Sequence, residues 1–189
     1  MEEHKLIWTE ESHKKVFDCR VFSVCETHCR SPDNDLRTYT VIDAADWAII
    51  VPVLETTGRR QFVMVRQWRH GARELSLEFP GGVFEPGENP LEAAVRELRE
   101  ETGCTPGKIR KTGEFSPNPA IMSNRVHFFL AEDLTLTGRQ KLDEDEYVES
   151  VLVDAADVVN GMGKPPYIHA LMGTALALYL REYGCGGAD

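Results

Sequence analysis

The sequence lacks the features that would direct a protein into or through a membrane. No apolar run approaches the ~18 residues that a membrane-spanning helix needs. The N-terminal segment MEEHKLIWTEE contains no basic stretch followed by an apolar one, which a secretory signal would require. We therefore expect a cytoplasmic protein without a membrane partner.

Basic residues are also scarce. The 21 lysines and arginines are outnumbered by 31 aspartates and glutamates, which gives a net charge of −10 and a pI near 5.1. Because no basic tract could neutralise a run of phosphates, we exclude a general nucleic-acid-binding protein. An acidic protein that acts on a phosphate compound would instead need a cation to bridge the two.

The cysteines show no spacing typical of a metal site. There are five, an odd number, and none forms a C-x-x-C pair: Cys19, Cys25, Cys29, Cys104 and Cys185. Cys25, His28 and Cys29 are close in sequence, but no neighbouring spacing suggests a fourth zinc ligand. We therefore expect reduced structural or surface thiols.

One segment carries most of the functional information. It covers residues 82–104 and reads GVFEPGENPLEAAVRELREETGC. Asn89 is a good N-cap, Pro90 fits the first helical position, and Glu92 completes a capping box. Gly103 can adopt the left-handed conformation that ends a helix. The sequence therefore predicts a helix that starts at about Pro90 and ends before Gly103.

The predicted helix has two chemically different faces. One is an apolar stripe formed by Leu91, Ala94, Val95 and Leu98. The other carries Glu97, Glu100 and Glu101 at spacings i, i+3 and i+4, which is unfavourable unless a cation binds there. Hard oxygen ligands on one helix face suit Mg²⁺ or Mn²⁺, and a solvated acidic face is the alternative interpretation.

Neighbouring residues could complete such a cation site. Arg96 lies one turn before Glu100 and could orient its carboxylate. The Gly81-Gly82 pair would let a backbone carbonyl approach an ion closely, because glycine has no side chain.

The rest of the chain predicts a mixed α/β domain. Its 189 residues, 42% of them apolar, can bury one good core but are short for two, and no repeat or low-complexity linker divides them. Residues 16–30 and 36–43 alternate in polarity around SPDND and predict a hairpin. Further strands are predicted at 47–54, 61–66, 74–79, 109–115, 125–131 and 147–153, and helices at 155–160 and 167–183. Strands around one central helix, with a terminal helix behind, suit an α/β/α sandwich.

At this point the chain resembles a known family. The segment from Gly82 to Cys104 resembles the Nudix box, whose pattern is glycine, five residues, glutamate, seven residues, Arg-Glu, a bulky apolar residue, any residue, Glu-Glu, any residue, glycine and a bulky apolar residue. Every fixed position matches, and only Cys104, small for the last apolar place, departs. The flanking segments VRQWRHG and LEFPGG look like the ADP-ribose and nucleoside-diphosphate-sugar pyrophosphatase branch.

This resemblance implies a fold and a domain organisation. The fold would be the Nudix α/β/α sandwich with a mixed sheet, formed by residues 46–189. Residues 1–45 would form a small N-terminal antiparallel sheet that exchanges across a homodimer.

The resemblance also implies a reaction. It would be the Mg²⁺-dependent hydrolysis of the diphosphate linkage of a small-molecule nucleoside diphosphate sugar, with Mn²⁺ as an alternative metal. The products would be a nucleoside monophosphate and a sugar phosphate. In this branch a loop before a late strand supplies a carboxylate that activates water, and the acidic run 143–146 is the matching segment.

Roles for individual residues follow from the resemblance. The implied metal ligands are the Gly81 carbonyl, Glu97, Glu100, Glu101 and Glu146. The implied catalytic residues are Arg96 and the three candidates for the general base, which are Glu100, Glu144 and Glu146. Glu88 and Arg96 are expected to form a supporting ion pair.

A second set of residues could bind the substrate. Arg66 and Arg69 lie just before the glycine loop, and an arginine fork suits phosphate; the resemblance favours Arg69 as the clamp. Trp47 and Trp68 could stack on a nucleobase, although an aromatic residue next to a strand is more often part of the core. Ser116 and Asn118 offer neutral hydrogen-bonding groups, which a turn would also explain.

The substrate is the least determined part of the prediction. ADP-ribose pyrophosphatases commonly carry an SPG loop with a downstream glutamate, whereas this chain reads SPNPAIMSNR from Ser116 to Arg125. This departure favours a broader or different nucleoside diphosphate sugar. The alternatives are a Nudix hydrolase of nucleoside triphosphates or dinucleoside polyphosphates, and a non-catalytic nucleotide-sensing module.

Overall fold

The computed structural model of the chain describes residues 3–56, 58–142 and 146–184. The chain forms two compact units. The smaller unit comprises Met1–Asp46 and Ser116–Arg125, and the larger comprises Trp47–Phe115 and Val126–Asp189. Within the described residues, no helix is both long and apolar enough to cross a membrane.

The smaller unit is built on a three-stranded antiparallel sheet. A short 3-10 helix, Glu3–Leu6, precedes β1 (Thr9–Asp18), β2 (Phe22–Arg30) and β3 (Leu36–Ala44), which lie in the order β1-β2-β3. The segment 116–125 joins this sheet through β3, because the Ile42 amide donates to the Ile121 carbonyl at 2.7 Å.

The predicted hairpin is correct around its turn but wrong at its start. β2 and β3 pair in register from Phe22↔Ala44 to Arg30↔Leu36, as the alternation indicated. Residues 16–18, however, belong to β1, and the chain reverses between Asp18 and Phe22. β1 is exposed along its whole length, so it carries no apolar alternation from which it could have been predicted.

The larger unit contains a mixed seven-stranded sheet. Its strands are β4 (Trp47–Thr56), β5 (Arg59–Arg69), β6 (Glu74–Glu78), β7 (Gly81–Val83), β8 (Cys104–Phe115), β9 (Val126–Leu136) and β10 (Val148–Asp154). The main order is β10-β5-β4-β9-β8, with β6 paired to β5 and β7 to β4. β4 and β9 run parallel, and the other pairs are antiparallel.

Helices cover both faces of this sheet. α1 (Pro90–Thr102) packs on one face, where its Ala93, Ala94 and Leu98 meet Ile50 of β4. α2 (Ala155–Gly161) and α3 (Ala170–Tyr183) pack on the other face against a larger apolar core. Alternate residues of β4 point into the two cores, as a strand buried on both sides requires. The predicted α/β/α sandwich is therefore confirmed.

The ends of α1 follow the local rules that predicted them. The Asn89 side chain accepts from the amides of the first turn, Glu92 bonds back to the cap, and Gly103 adopts φ 72°. The predicted apolar stripe is wrong at Leu91, whose side chain is exposed. Ala93 is buried instead, because a methyl group lets the helix lie close to the sheet.

Candidate active site

The glycines of β7 bring its backbone close to α1 and to the sheet. β7 runs antiparallel to the start of β4, with Gly82 opposite Ala48. A Cβ atom on Gly82 would lie 2.4 Å from Glu97 Oε1, and one on Gly81 would lie 2.2 Å from the Ala48 carbonyl oxygen. Any side chain at either position would therefore displace a neighbouring group.

Glu101 has a buried carboxylate that contacts β7. Its residue is 6% exposed, and the Gly81 amide donates to its Oε2 at 2.8 Å. Burial raises the pKa of Glu101 to about 8, the Gly81 hydrogen bond opposes the shift, and the charges of Glu97 and Glu146 add to it. Burial, opposed by Arg96, likewise raises the pKa of Glu97.

Arg96 links three carboxylates in the same region. Its Nη1 donates to Glu97 Oε1 at 2.8 Å and to Glu100 Oε2 at 3.1 Å. Its Nε and Nη2 bind both oxygens of Glu88, at 2.9 and 3.0 Å, so the expected supporting ion pair is present. Nη2 also donates to the Val83 carbonyl, which ties the arginine to β7.

Glu146 lies close enough to this cluster to act on it electrostatically. Its residue is exposed, and its charge contributes to the raised pKa of both Glu97 and Glu101. Glu144, the other predicted base from the acidic run, lies outside the described residues. A loop carboxylate is therefore near the helix carboxylates.

The donor set of this cluster fits a hard divalent cation. Glu97, Glu100, Glu101 and Glu146 supply carboxylate oxygens, which are the ligands that Mg²⁺ prefers. Burial raises the pKa of Glu97 and Glu101, and repulsion from neighbouring glutamates adds to the shift; a bound cation would relieve that repulsion. A single arginine is shared among several of these acids, so the site carries an excess of negative charge.

Arg69 is held by a buried partner that sequence reasoning missed. Its Nε and Nη2 donate to the two oxygens of Glu78 at 2.8 and 2.6 Å. Glu78 is 1% exposed; burial alone would raise its pKa, but the Arg69 hydrogen bonds outweigh this and lower it. A charged residue within the apolar run LSLEFP was the available signal, since such a residue needs a buried partner.

This pair borders a cleft of about 500 Å³, a size typical of small-molecule sites. Trp68, whose residue is about half exposed, lies on the same lining. His169 also lines the cleft, and its Nδ1 accepts from the Leu171 amide at the start of α3. This hydrogen bond assigns the ring proton of neutral His169 to Nε2.

The other predicted substrate residues have different surroundings. Arg66 is exposed and pairs with Glu149 at 3.2 Å, and it lies on the opposite face of β5 from Arg69. Trp47 packs against the core beneath α3, on the face of the sheet away from α1. Ser116 and Asn118 belong to the smaller unit, where the Asn118 carbonyl accepts from the Met122 amide in a turn.

Comparison with known proteins identifies the family. The NUDIX domain profile matches residues 45–172, and this chain belongs to the Nudix family. The match includes the complete glycine loop and α1.

Two of the relatives are named as hydrolases of ADP compounds. The chain is 41% identical over 110 residues to the ADP-ribose pyrophosphatase of Bacillus subtilis. The aligned region covers 58% of this chain and 60% of that protein. It is 29% identical over 138 residues to the ADP compounds hydrolase NudE of Escherichia coli, covering 71% and 69% of the two chains. The crystal structure of an ADP compounds hydrolase has the same fold, with a TM-score of 0.79 at 24% identity, covering 95% of this chain and 97% of that one.

Proposed function

We propose that this protein hydrolyses the diphosphate linkage of ADP-ribose or a related nucleoside diphosphate sugar, with Mg²⁺ as cofactor. The observation that carries the proposal is the pair of α1 carboxylates, buried Glu101 and part-buried Glu97, held against Gly81 and Gly82 of β7. The substrate class rests on the similarity to the ADP-ribose pyrophosphatase of Bacillus subtilis. The products would be a nucleoside monophosphate and a sugar phosphate.

The residues that would hold the metal are Glu97, Glu100, Glu101, Glu146 and the Gly81 carbonyl. When bound, the cation would neutralise the diphosphate oxygens and acidify a water molecule. The protein's own contribution is orientation: the Gly81 amide fixes one oxygen of Glu101, and Arg96 fixes Glu97 and Glu100. A carboxylate fixed in this way needs little rearrangement when a cation arrives.

The substrate would lie along the cleft beside Arg69. Its guanidinium is close enough to Glu101 for the two charges to interact, so a phosphate near the carboxylates would also be near this arginine. Trp68 is exposed and could stack on a base or sugar, which makes it a better placed aromatic than Trp47. Nε2–H of His169 could donate to a sugar hydroxyl.

The location, the oligomeric state and several residue roles are also proposals. We propose a cytoplasmic homodimer in which residues 1–45 exchange between protomers, which the resemblance to the family supports. Arg66, Ser116 and Asn118 stay predicted substrate residues, and Glu144 stays a predicted base.

The direct test is a substrate panel with and without Mg²⁺. ADP-ribose, other nucleoside diphosphate sugars, nucleoside triphosphates and dinucleoside polyphosphates are incubated with the protein, and the products are separated by ion-exchange chromatography. We expect release of nucleoside monophosphate and sugar phosphate from diphosphate sugars, abolished by chelator. Preferential cleavage of triphosphates or polyphosphates would contradict the proposed substrate class. If no compound is cleaved, the proposal that this protein is a hydrolase is wrong.

Arg69→Ala is expected to weaken both substrate binding and the fold. Loss of a charge-assisted hydrogen bond to phosphate corresponds to ~1.5–3 kcal/mol, or about tenfold or more in KM. The same change leaves Glu78 buried without its partner, which we expect to lower the unfolding free energy by about 1–3 kcal/mol. Kinetics and urea unfolding measure the two effects separately.

A double variant, Arg69→Ala with Glu78→Gln, separates the two roles of Arg69. It removes the buried charge, so stability should recover while KM stays high. If KM returns to the wild-type value together with stability, Arg69 acts only as the partner of Glu78. Glu78→Gln alone controls for any direct contribution of the carboxylate.

Glu146→Gln is expected to lower kcat while leaving KM nearly unchanged. A general base acts on the attacking water rather than on the bound substrate and contributes about 10²–10⁴-fold. Glu55→Gln, an exposed glutamate at the far end of β4, is the matched control. If Glu146→Gln keeps the wild-type kcat between about pH 6 and 9, Glu146 is not the general base, and Glu144 and Glu100 are the remaining candidates.

A further inference from the structure

The small N-terminal sheet brings together three metal-ligating side chains that are distant in sequence. His13 of β1, Cys25 of β2 and Asp43 of β3 each place one ligand atom within 4.8 Å of the other two. His13 Nε2 lies 2.7 Å from Asp43 Oδ2, and the Cys25 thiol donates to the same oxygen at 3.1 Å.

Strand register explains how the three residues meet. His13 is opposite Thr27 and Asp43 is opposite Ser23, so each stands diagonally, two positions along the pairing, from Cys25. Diagonal neighbours on one face of a sheet are within reach of each other's side chains. Since each strand contributes one residue, the cluster spans the whole width of the sheet.

The surroundings of the cluster orient its members. His13 turns Nε2 toward Asp43, while its Nδ1 lies 3.5 Å from Glu10 Oε2. A carboxylate on the far nitrogen is the arrangement that commonly orients metal-binding histidines. The Ser123 hydroxyl donates to the carbonyl of Ile42, next to Asp43, at 3.4 Å, and Cys25 is 2% exposed.

We propose that His13, Cys25 and Asp43 form a zinc site, with water as the fourth ligand. A thiolate, an imidazole and a carboxylate are all established zinc ligands, and the thiolate disfavours Mg²⁺. Around tetrahedral zinc, ligand atoms at 2.0–2.3 Å from the metal are about 3.4–3.7 Å apart. The two measured separations need to widen by less than ~1 Å, which small side-chain rotations provide. On binding, the Cys25 proton passes to solvent.

This site differs from the zinc site that the sequence excluded. His28 is next to Cys29 in sequence, but its ring nitrogens contact Ser12 and Glu26 on the other face of the sheet. His13 comes from β1 and Asp43 from β3, so the spacing of residues along β2 could not reveal them. The bound metal would link β1, β2 and β3, and none of its ligands belongs to the glutamates of α1.

Cobalt provides a probe that distinguishes this site from the carboxylate cluster. The full-length protein is freed of metal with chelator, held in saturating Mg²⁺ and titrated with Co²⁺. We expect a thiolate-to-Co²⁺ charge-transfer absorption that saturates at one equivalent per chain and is displaced by Zn²⁺. The glutamates offer only oxygen ligands and cannot produce this band, so the result does not depend on the proposed hydrolase activity.

Matched variants assign the band to its ligands. Cys25→Ser should abolish it, whereas Cys29→Ser, on the same strand and face, should retain it. His13 is partly exposed, so His13→Ala should fold normally and weaken Co²⁺ binding by about tenfold or more. An absent band in the wild type, a band that persists in Cys25→Ser, or unchanged affinity in His13→Ala would each overturn the proposal.

Discussion

Glu101→Gln is expected to abolish turnover without unfolding the protein. The change removes the charge of a proposed metal ligand but keeps the shape of the side chain and its contact with the Gly81 amide. We expect a loss of several kcal/mol of transition-state stabilisation, beyond about 10³-fold in kcat, because the glutamine cannot help to neutralise a divalent cation.

The stability of this variant provides a readout that does not involve catalysis. In chelator, Glu101→Gln should be at least as stable as the wild type. Burial raises the pKa of Glu101 to about 8, so at neutral pH the folded wild type must take up a proton at this carboxylate or bury its charge, and the neutral amide needs neither. In Mg²⁺, the wild type should gain stability and the variant should gain little. Thermal unfolding with and without Mg²⁺ measures both differences.

The control for this experiment is Glu92→Gln on the same helix. Glu92 is exposed, and glutamine also serves in a capping box, so activity and stability should be retained. Near-normal activity of Glu101→Gln at saturating Mg²⁺ would show that Glu101 is not a metal ligand, whatever the stability of the variant.

Arg96→Ala is expected to destabilise the metal-free protein and to raise its Mg²⁺ requirement. Its removal leaves Glu88, Glu97 and Glu100 without the cation that they share. Breaking a fully buried ion pair costs about 3–5 kcal/mol, and we expect about 2–3 here because a fifth of the Arg96 side chain is exposed. Loss of an orienting partner should weaken metal affinity by about 10–100-fold.

Two comparisons test this interpretation of Arg96. Arg99→Ala removes an exposed arginine from the last turn of the same helix and should cost only about 0.3–1 kcal/mol, with no change in Mg²⁺ requirement. High Mg²⁺ should restore part of the stability of Arg96→Ala, because the cation replaces the lost positive charge. If Arg96→Ala shows wild-type Mg²⁺ dependence, Arg96 stabilises the fold but does not orient metal ligands.

Sequence predicted best what local interactions decide. Asn89, Pro90, Glu92 and Gly103 define the ends of α1 through contacts within one or two turns, and all four act as predicted. The carboxylates of this helix could be recognised for the same reason, since their spacing along one helix determines their neighbours.

Features that depend on register or burial were not accessible to the same reasoning. β1 is exposed throughout, so its pairing with β2 leaves no pattern in its sequence. Glu78 is buried because Arg69 neutralises it across two paired strands. His13 and Asp43 meet Cys25 only when three strands take one particular register.

The contact between Arg69 and Glu78 has a consequence for molecular recognition. An unrestrained arginine has about 2 kcal/mol of side-chain entropy to lose when it is immobilised by a ligand. Nε and Nη2 of Arg69 are both hydrogen-bonded to Glu78 in the folded chain, so most of that entropy is lost during folding. Any anion that enters the cleft meets a preorganised cation, and its affinity is not reduced by the ordering of this side chain.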